Sequence, residues 1–228
     1  MIPNLFWSKY YHESQEDASE FLMRVLNAET GSPTLAPLFA GRDKPTLACA
    51  NPRCSYQRDA AEEKFNTIIV QIRNEDGQPV QDVQEAVAAY MLPETQEASF
   101  HWHCPSCGST APPRKEHHVD QTPVILLVQL CRWQTAHAEG AILDAVHVNE
   151  RIDFQGVSYR LSSSIMHQGT NPNSGHYLTC ARHETADNAW FYYNDERRRF
   201  ASPGERESTK DDKSYILFYE RLDEQLRH

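Results

Sequence analysis

Basic residues are scarce in this chain. Its 22 Lys and Arg are outnumbered by 32 Asp and Glu, for a formal charge of −10 over 228 residues. No block of Lys and Arg is of the kind that tracks a phosphate backbone. Nucleic acid is therefore not an expected partner, and a protein with a basic surface fits better. Long apolar runs are missing too. The longest wholly aliphatic stretch, Val124 to Val128, falls far short of the roughly 20 residues that a membrane-spanning helix needs. Met1-Ile2-Pro3-Asn4-Leu5 lacks the basic-then-apolar layout of a secretory leader. No membrane association is expected, and the expected setting is intracellular, cytoplasmic or nuclear or both. Internal repeats and low-complexity tracts are absent as well. With 39% hydrophobic residues in 228, the chain can build the core of one large or two small domains, which argues against disorder as its overall state.

Cysteine is sparse but patterned. Four of the six cysteines form two close pairs, Cys49-x4-Cys54 and Cys104-x2-Cys107-Gly108, separated by 49 residues. That is the spacing of two knuckles brought together around one tetrahedral zinc, whose borderline-soft character suits four thiolates. Thiols without metal and redox chemistry are the alternatives for such pairs. A closed four-thiolate shell leaves no open coordination position, so a zinc here would fold the segment and not catalyse. Cys131 and Cys180 stand alone in apolar strand-like runs, where a thiol behaves as a small hydrophobe.

Residues 1 to 13 are aromatic-rich, with Phe6, Trp7, Tyr10 and Tyr11, and suit a docking segment or part of a larger lobe. From Ser14 a helix of about 14 residues is expected. Ser14-Gln15-Glu16-Asp17 resembles a capping box, Glu16, Asp17 and Glu20 place negative charge where the helix dipole favours it, and Ala18, Phe21, Leu22, Val25 and Leu26 make one apolar face. An ordinary packed amphipathic helix accounts for the apolar face, though not for the acidic cluster at its start. Glu63 to Ile72 reads as one β-branched strand, Val80 to Tyr90 as a second helix, and Pro123 to Trp133 as a strand buried on both faces. Further strands are expected near 157–166, 175–183, 189–194 and 214–221. Helices are thus confined to the first half, and the second half is mostly antiparallel β.

The chemistry concentrates in Ser164 to Arg182 and Trp190 to Asp195. One strand ends at His167, a Gly/Asn/Pro loop follows, Gly175-His176 opens a second strand, and Asn194-Asp195 closes a third. This layout holds an imidazole at the rim of a sheet with an orienting amide or carboxylate beside it, and such a base requires a nucleophile. Cys180 is not that partner. It lies four residues beyond His176 on the same strand, and at about 3.3 Å per residue their Cα atoms are roughly 13 Å apart.

Gln15-Glu16-Asp17-Ala18-Ser19-Glu20-Phe21-Leu22, Glu63-Lys64-Phe65, the four paired cysteines, Pro123 to Trp133, Tyr159 through Gly175-His176-Tyr177, Trp190 to Asp195 and Ser214 to Arg221 follow one another in order. Together they resemble the catalytic domain of the ubiquitin-specific proteases. The resemblance implies an α+β, papain-like cysteine protease fold with partial thumb helices, zinc-ribbon fingers and an antiparallel β palm. It divides a single domain into a partial thumb (1–30), fingers (31–122) and palm (123–228). It further implies His176 as general base, Asn194 with Asp195 as its orienting partners, a structural Zn2+ on Cys49, Cys54, Cys104 and Cys107, and ubiquitin or a ubiquitinated protein as partner. Asp17, Glu20, His167, Gly175 and Tyr177 are the implied ubiquitin-binding residues.

The family's nucleophile belongs to an Asn-x-Gly-Asn-x-Cys box several dozen residues before the Gln-x-Asp helix, whereas no cysteine here precedes Cys49. Base and orienter are expected to be present, the nucleophile absent, and the isopeptide hydrolysis typical of the family lost in this chain as it stands. A non-catalytic ubiquitin-binding or scaffold module is the alternative. A zinc-ribbon interaction module unrelated to ubiquitin is the third possibility. Smaller departures are Glu16 for Gln, Cys131-Arg132-Trp133 for Lys-Arg-Phe, and Cys49-x4-Cys54 for a tighter Cys-x2-Cys.

Overall fold

The computed structural model describes residues 17–26, 33–133, 142–171, 174–183, 189–201 and 213–222. The aromatic segment 1–13 and Ser14, Gln15 and Glu16 lie outside them. In chain order the described elements begin with helices α1 (Ala18–Leu26) and α2 (Ala36–Phe39). Strands β1 (Gly41–Asp43), β2 (Thr46–Ala48), β3 (Gln57–Asp59), β4 (Glu63–Phe65) and β5 (Ile68–Gln71) precede helix α3 (Val83–Tyr90). Strands β6 (Glu94–Thr95), β7 (Arg114–Glu116), β8 (Val119–Gln121) and β9 (Ile125–Cys131) follow. The chain continues with β10 (Arg151–Phe154), β11 (Val157–Asn171), β12 (Ser174–Arg182), β13 (Trp190–Asn194), β14 (Arg197–Phe200) and β15 (Ser214–Arg221).

An eight-stranded sheet in the order β14-β13-β12-β11-β15-β9-β5, with β10 added to β11, dominates the molecule. Strand β9 lies deep within it and explains the continuous apolar run. Leu126, Val128 and Leu130 point into a core shared with Val83, Ala86 and Val87 of α3, while Leu127 points the other way to meet Leu26 of α1 and Phe39 of α2. A strand covered on both faces must be apolar at consecutive positions, and each such side chain contributes about 1.5–3 kcal/mol on burial. The β10–β11 hairpin turns through Gln155 (φ 56) and Gly156 (φ 75), a pair of left-handed residues of the kind that two-residue hairpins require.

Two small sheets, β4-β1-β8 and β3-β2-β7-β6, extend from the large one. Where they meet, buried Asp43 receives two bonds: His117 Nδ1 lies 2.6 Å from Oδ2 and the His118 N–H donates to Oδ1 at 2.7 Å. Tyr90, at the end of α3, stacks on His117 with 5.7 Å between ring centroids.

Two sequence expectations change in register. The run Glu63 to Ile72 is not one strand: it breaks after Phe65 into β4, in a small sheet, and β5, which pairs parallel with β9 in the large one. At the break, Thr67 Oγ1 donates to the Leu127 carbonyl at 3.3 Å. The short strands β4 and β5 can each satisfy a different sheet, which β-propensity alone cannot distinguish. In consequence β5 and α3, within the segment 31–122 read as fingers, lie in the core of the large sheet. Helix α1, for its part, is capped by Asp17, whose Oδ1 accepts from the Ser19 N–H at 2.7 Å and the Glu20 N–H at 3.2 Å.

Candidate functional site

Strand register brings together His176 and Asn194, the expected base and orienter. Strands β12 and β13 pair Thr179 with Tyr193 and Cys180 with Tyr192; continuing that ladder sets Asn194 opposite Leu178, on the same face as His176 and one diagonal step away. The structure closes this gap: His176 Nε2 lies 2.8 Å from Asn194 Oδ1. Asp195 Oδ2 is further from the same nitrogen, at 3.9 Å, and is well exposed. The amide, not the carboxylate, thus holds the ring. Because an amide oxygen only accepts, the hydrogen bond assigns the proton to Nε2 and leaves the Nδ1 lone pair available as a base. Asp195 occupies the first position of the β13–β14 turn with φ 51, a left-handed conformation that Asp tolerates.

A second cluster lies on the opposite face of the same hairpin. His167 pairs with Tyr177 and Gln168 with His176, so the two histidines alternate across the pleat. His167 is buried against Tyr177 (ring centroids 4.9 Å) and Trp133 (5.3 Å). Burial lowers its pKa, and the nearby Asp17 carboxylate opposes that shift only partly. Among the described residues its Nδ1 has no hydrogen-bond partner, and His167 borders a small recess with Arg132, Trp133, Lys213 and Tyr215. Gly175 is required beside it, because a Cβ there would overlap the His167 ring and come within 2.7 Å of the Gln168 carbonyl oxygen.

Helix α1 docks on this face. The Ala18 N–H donates to Tyr177 Oη at 3.3 Å, and Tyr215 donates to Asp17 Oδ2 at 2.9 Å. Burial raises the pKa of Tyr215, so the phenol keeps its proton and remains a donor. Of the residues that the resemblance assigns to ubiquitin, Asp17 therefore spends both oxygens within the protein, and Glu20 is exposed and paired with Arg24. His167, Gly175 and Tyr177 are brought together.

Trp133, Arg132 and Tyr215 belong to this cluster and were not singled out as site residues from sequence. Arg132 Nε donates to the Ser214 carbonyl at 2.8 Å, and its Nη1 donates to the carbonyls of Ile142 (3.0 Å) and Asp144 (2.8 Å). It thereby ties the end of β9 to β15 next to Trp133. The available signal was a charged residue inside an apolar strand run, which is rarely buried without partners.

The four paired cysteines converge at the end of the fingers. The β2–β3 turn carries Cys49 and Cys54, and the segment between β6 and β7 carries Cys104 and Cys107, whose turn closes with the Gly108 N–H on the Cys104 carbonyl at 2.9 Å. All four sulfurs lie within 4.8 Å of one another. Cys49–Cys107 and Cys54–Cys104 are each 3.7 Å apart. A tetrahedron of sulfurs about 2.3 Å from a zinc ion has edges of about 3.8 Å, so the set fits a tetrahedral metal. Within the cluster the backbone N–H of Ser109 holds the Cys107 thiol down to about 7, while burial beside the other sulfurs pushes the Cys49 thiol up to about 12. The two other cysteines are committed elsewhere: Cys180 is buried with Met166 and Leu178, and Cys131 Sγ donates to the Trp133 carbonyl at 3.5 Å.

Comparison with known proteins is consistent with this architecture. Residues 4–219 match the family model described as ubiquitin carboxyl-terminal hydrolase. Among curated relatives, the chain is 24% identical to ubiquitin carboxyl-terminal hydrolase 25 of Arabidopsis thaliana, over 91% of this chain and 33% of that protein. It is 26% identical to probable ubiquitin carboxyl-terminal hydrolase 9 of Schizosaccharomyces pombe, over 92% of this chain and 40% of that one. The chain thus spans well under half the length of these relatives. Among solved structures, the SAGA Ubp8 DUB module bound to ubiquitin aldehyde superposes with a TM-score of 0.74 at 22% identity, covering 92% of this chain and 50% of that one. The same module bound to monoubiquitin gives 0.73 at 23% identity, covering 92% and 49%. At these identities the structural likeness establishes the fold.

Proposed function

The chain belongs to the ubiquitin carboxyl-terminal hydrolase family, and from that membership and the geometry of His176 we propose that it forms the ubiquitin-recognising, base-carrying part of a ubiquitin-specific protease. The α+β fold is that of this protease type. The chemistry of such a site is thiol attack on the isopeptide carbonyl after ubiquitin's C-terminal glycine. His176 Nδ1 would take the thiol proton, the thiolate would bond to the carbonyl carbon, and the proton would pass to the departing lysine amine. Asn194 holds the imidazole in the tautomer this needs, and the 2.8 Å hydrogen bond between the two is the observation that carries the reading. Asp195, at 3.9 Å, supplies charge nearby, not the orienting bond.

We read residues 1–30 as a partial thumb, 31–122 as fingers that also lend β5 and α3 to the palm, and 123–228 as palm. Glu20, Asp17, His167, Gly175 and Tyr177 remain the proposed ubiquitin-contacting set, with Asp17 acting chiefly by fixing the start of α1. A structural Zn2+ on Cys49, Cys54, Cys104 and Cys107 completes the fingers; bound there it supplies a crosslink and no reaction step.

All six cysteines of the chain have an assignment away from His176. This favours a second reading, in which these residues bind ubiquitin without cleaving it. The test is two measurements on the same preparation. Titration of labelled ubiquitin is expected to saturate in the micromolar range, and a ubiquitin probe with a C-terminal electrophile is expected to leave the chain unlabelled. Absence of binding would remove the ubiquitin assignment. A covalent adduct at any cysteine would replace the non-catalytic reading with the catalytic one.

A further inference from the structure

The sulfurs of the four-cysteine cluster are not equally shielded. Cys49 and Cys104 are buried, Cys54 is half-buried and Cys107 is exposed. A small solute arriving from water therefore meets Cys107 first.

The close contacts between sulfurs run across the cluster. Cys49 meets Cys107 and Cys54 meets Cys104, each at 3.7 Å, so each contact joins the β2–β3 turn to the segment between β6 and β7. Every sulfur of the set has one such partner. The backbone fixes this arrangement. Strand β2 lies antiparallel to β7, with Ala48 opposite Arg114. Within the knuckles the Cys49 N–H donates to the Tyr56 carbonyl (2.9 Å), the Cys54 N–H to the Asn51 carbonyl (2.9 Å) and the Cys104 N–H to the Ser109 carbonyl (2.8 Å). Leu47 and Trp102 pack with Cys49 and Cys104 in the small core. An S–S bond is about 2.05 Å long, so each sulfur of a 3.7 Å pair moves by less than about 1 Å to form one. The chain's two other cysteines, Cys131 and Cys180, are committed within the palm.

We propose that the cluster is a peroxide-responsive site, in which Cys107 is oxidised first and bridges Cys49, Cys54 then bridges Cys104, and the ion is expelled. The proposal rests on the zinc reading given above. A hydroperoxide is the oxidant. The Cys107 sulfur attacks one oxygen of hydrogen peroxide: an S–O bond forms, the O–O bond breaks, and water leaves, so the sulfur is oxidised to a sulfenic acid as the peroxide is reduced. The Cys49 sulfur then attacks the Cys107 sulfur: the S–S bond forms, the S–O bond breaks, and the oxygen leaves as a second water with the thiol proton. Where an ion has displaced the thiol protons, solvent supplies them. A second peroxide takes Cys54 and Cys104 through the same two steps. Two peroxides thus yield two disulfides and four waters. A disulfide sulfur is no longer the anionic donor that zinc requires, so the ion leaves.

The pairing decides what remains afterwards. The two bridges span 58 and 50 positions, and closing loops of that length restrains the unfolded chain strongly. The oxidised fingers therefore keep a crosslink between their two knuckles and keep their fold, whereas chelation removes the crosslink outright. A bridge within one knuckle, Cys104 to Cys107, would close only a short loop and leave the knuckles unjoined.

The experiment treats the full chain, reconstituted with zinc and freed of excess ion, with hydrogen peroxide. Zinc release is read with a colorimetric chelator, early sulfenic acid is trapped with dimedone, and disulfides are mapped by mass spectrometry of non-reduced peptides. About one zinc per chain should be released, with dimedone on Cys107 at least about tenfold over the other three cysteines at early times. The bridges found should be Cys49–Cys107 and Cys54–Cys104. Amide exchange in residues 46–59 and 94–116 should stay within about twofold of the zinc form, and a thiol reductant with zinc should restore the starting state. Cys49→Ser removes the resolving sulfur and should raise trapping at Cys107; the wild-type measurements stand without it if that variant does not fold. First trapping at another cysteine overturns the proposal, as does a Cys104–Cys107 bridge as the main product. So does zinc retained at a peroxide excess that fully oxidises free cysteine. A chain that takes up no zinc at the outset overturns the zinc reading instead, and bridge mapping on that metal-free chain still decides the pairing.

Discussion

The palm and the fingers solve the same problem, burying enough apolar surface to order a sheet, by different means. The palm's eight strands are covered on one face by α3 and the segment leading into β10, and near β9 on the other by α1 and α2. Its core runs without interruption from Ile68 and Val70 through Leu126, Val128 and Leu130 to Leu217 and Tyr219. The fingers have strands of two or three residues and a core of Leu47, Cys49, Trp102 and Cys104, helped by Tyr56 and Phe100. Two of those four core residues are also candidate metal ligands. A region this small cannot offset its ordering entropy by burial alone, so its stability is expected to depend on the bound ion. One chain thus contains a region with a continuous apolar core, which carries the proposed site, and a second region whose stability is expected to depend on a metal.

Removing the metal should break that comparison most visibly. Structural zinc in small domains is worth about 10 kcal/mol or more, so chelation, or Cys104→Ser, is expected to abolish amide-exchange protection in residues 46–59 and 94–116 while β9, β11 and β15 keep theirs. Metal analysis should find about one zinc per chain before treatment and none in the variant. Simultaneous loss of protection in the palm would show that the two regions fold as one unit.

The junction is the next place to test it. Asp43 and His117 form a buried pair 2.6 Å apart, and Asp43→Ala leaves the His118 N–H and the His117 ring without their acceptor. A cost of about 3–5 kcal/mol is expected from denaturant unfolding, appearing first as lost protection around β1 and β8. In the palm, Leu217→Ala should cost about 2–5 kcal/mol through cavity formation. It should lower the unfolding midpoint while zinc content stays unchanged; a parallel loss of zinc would mean that the fingers lean on the palm.

The smallest effect concerns His167. Burial lowers its pKa in the folded state, so below the unfolded value of about 6.5 the unfolded chain binds more protons. Stability rises with pH through that range and is lost as pH falls below about 6.5. His167→Gln should flatten that part of the stability profile, measured as urea midpoints between about pH 7 and pH 5. An unchanged slope would show that other groups dominate the acid response.

Much of the site was legible because its signals are local. Gly175-His176 and Asn194-Asp195 each announce a strand end, and the spacing of the two cysteine pairs announces their convergence into one cluster. The second cluster was less legible because its members are contributed by separate strands. Trp133 ends β9 and Tyr215 begins β15, and neither residue type signals that their rings meet His167 and Tyr177. The helix start shows the same limit. Ser14 to Asp17 suited a capping box, and it is Tyr215, far along the chain, that donates to Asp17's other oxygen and anchors α1 on the palm.

Composition and pattern by themselves determined the acidic character of the chain, the palm strands β9, β11, β12, β13 and β15, the four-cysteine cluster and the histidine with its Asn-Asp pair. Each depends on residue type or short-range periodicity, which the linear chain carries explicitly. Tertiary structure decided three further points. It separated Glu63 to Ile72 into two sheets, it gave the orienting bond to Asn194 at 2.8 Å over Asp195 at 3.9 Å, and it set Arg197, Arg198 and Arg199 on β14, which pairs only with β13 among the described strands. These depend on strand register and sheet order, and a shift of one residue in register moves every side chain to the opposite face. Spacing along the chain does not record that choice; it is made when the strands pair.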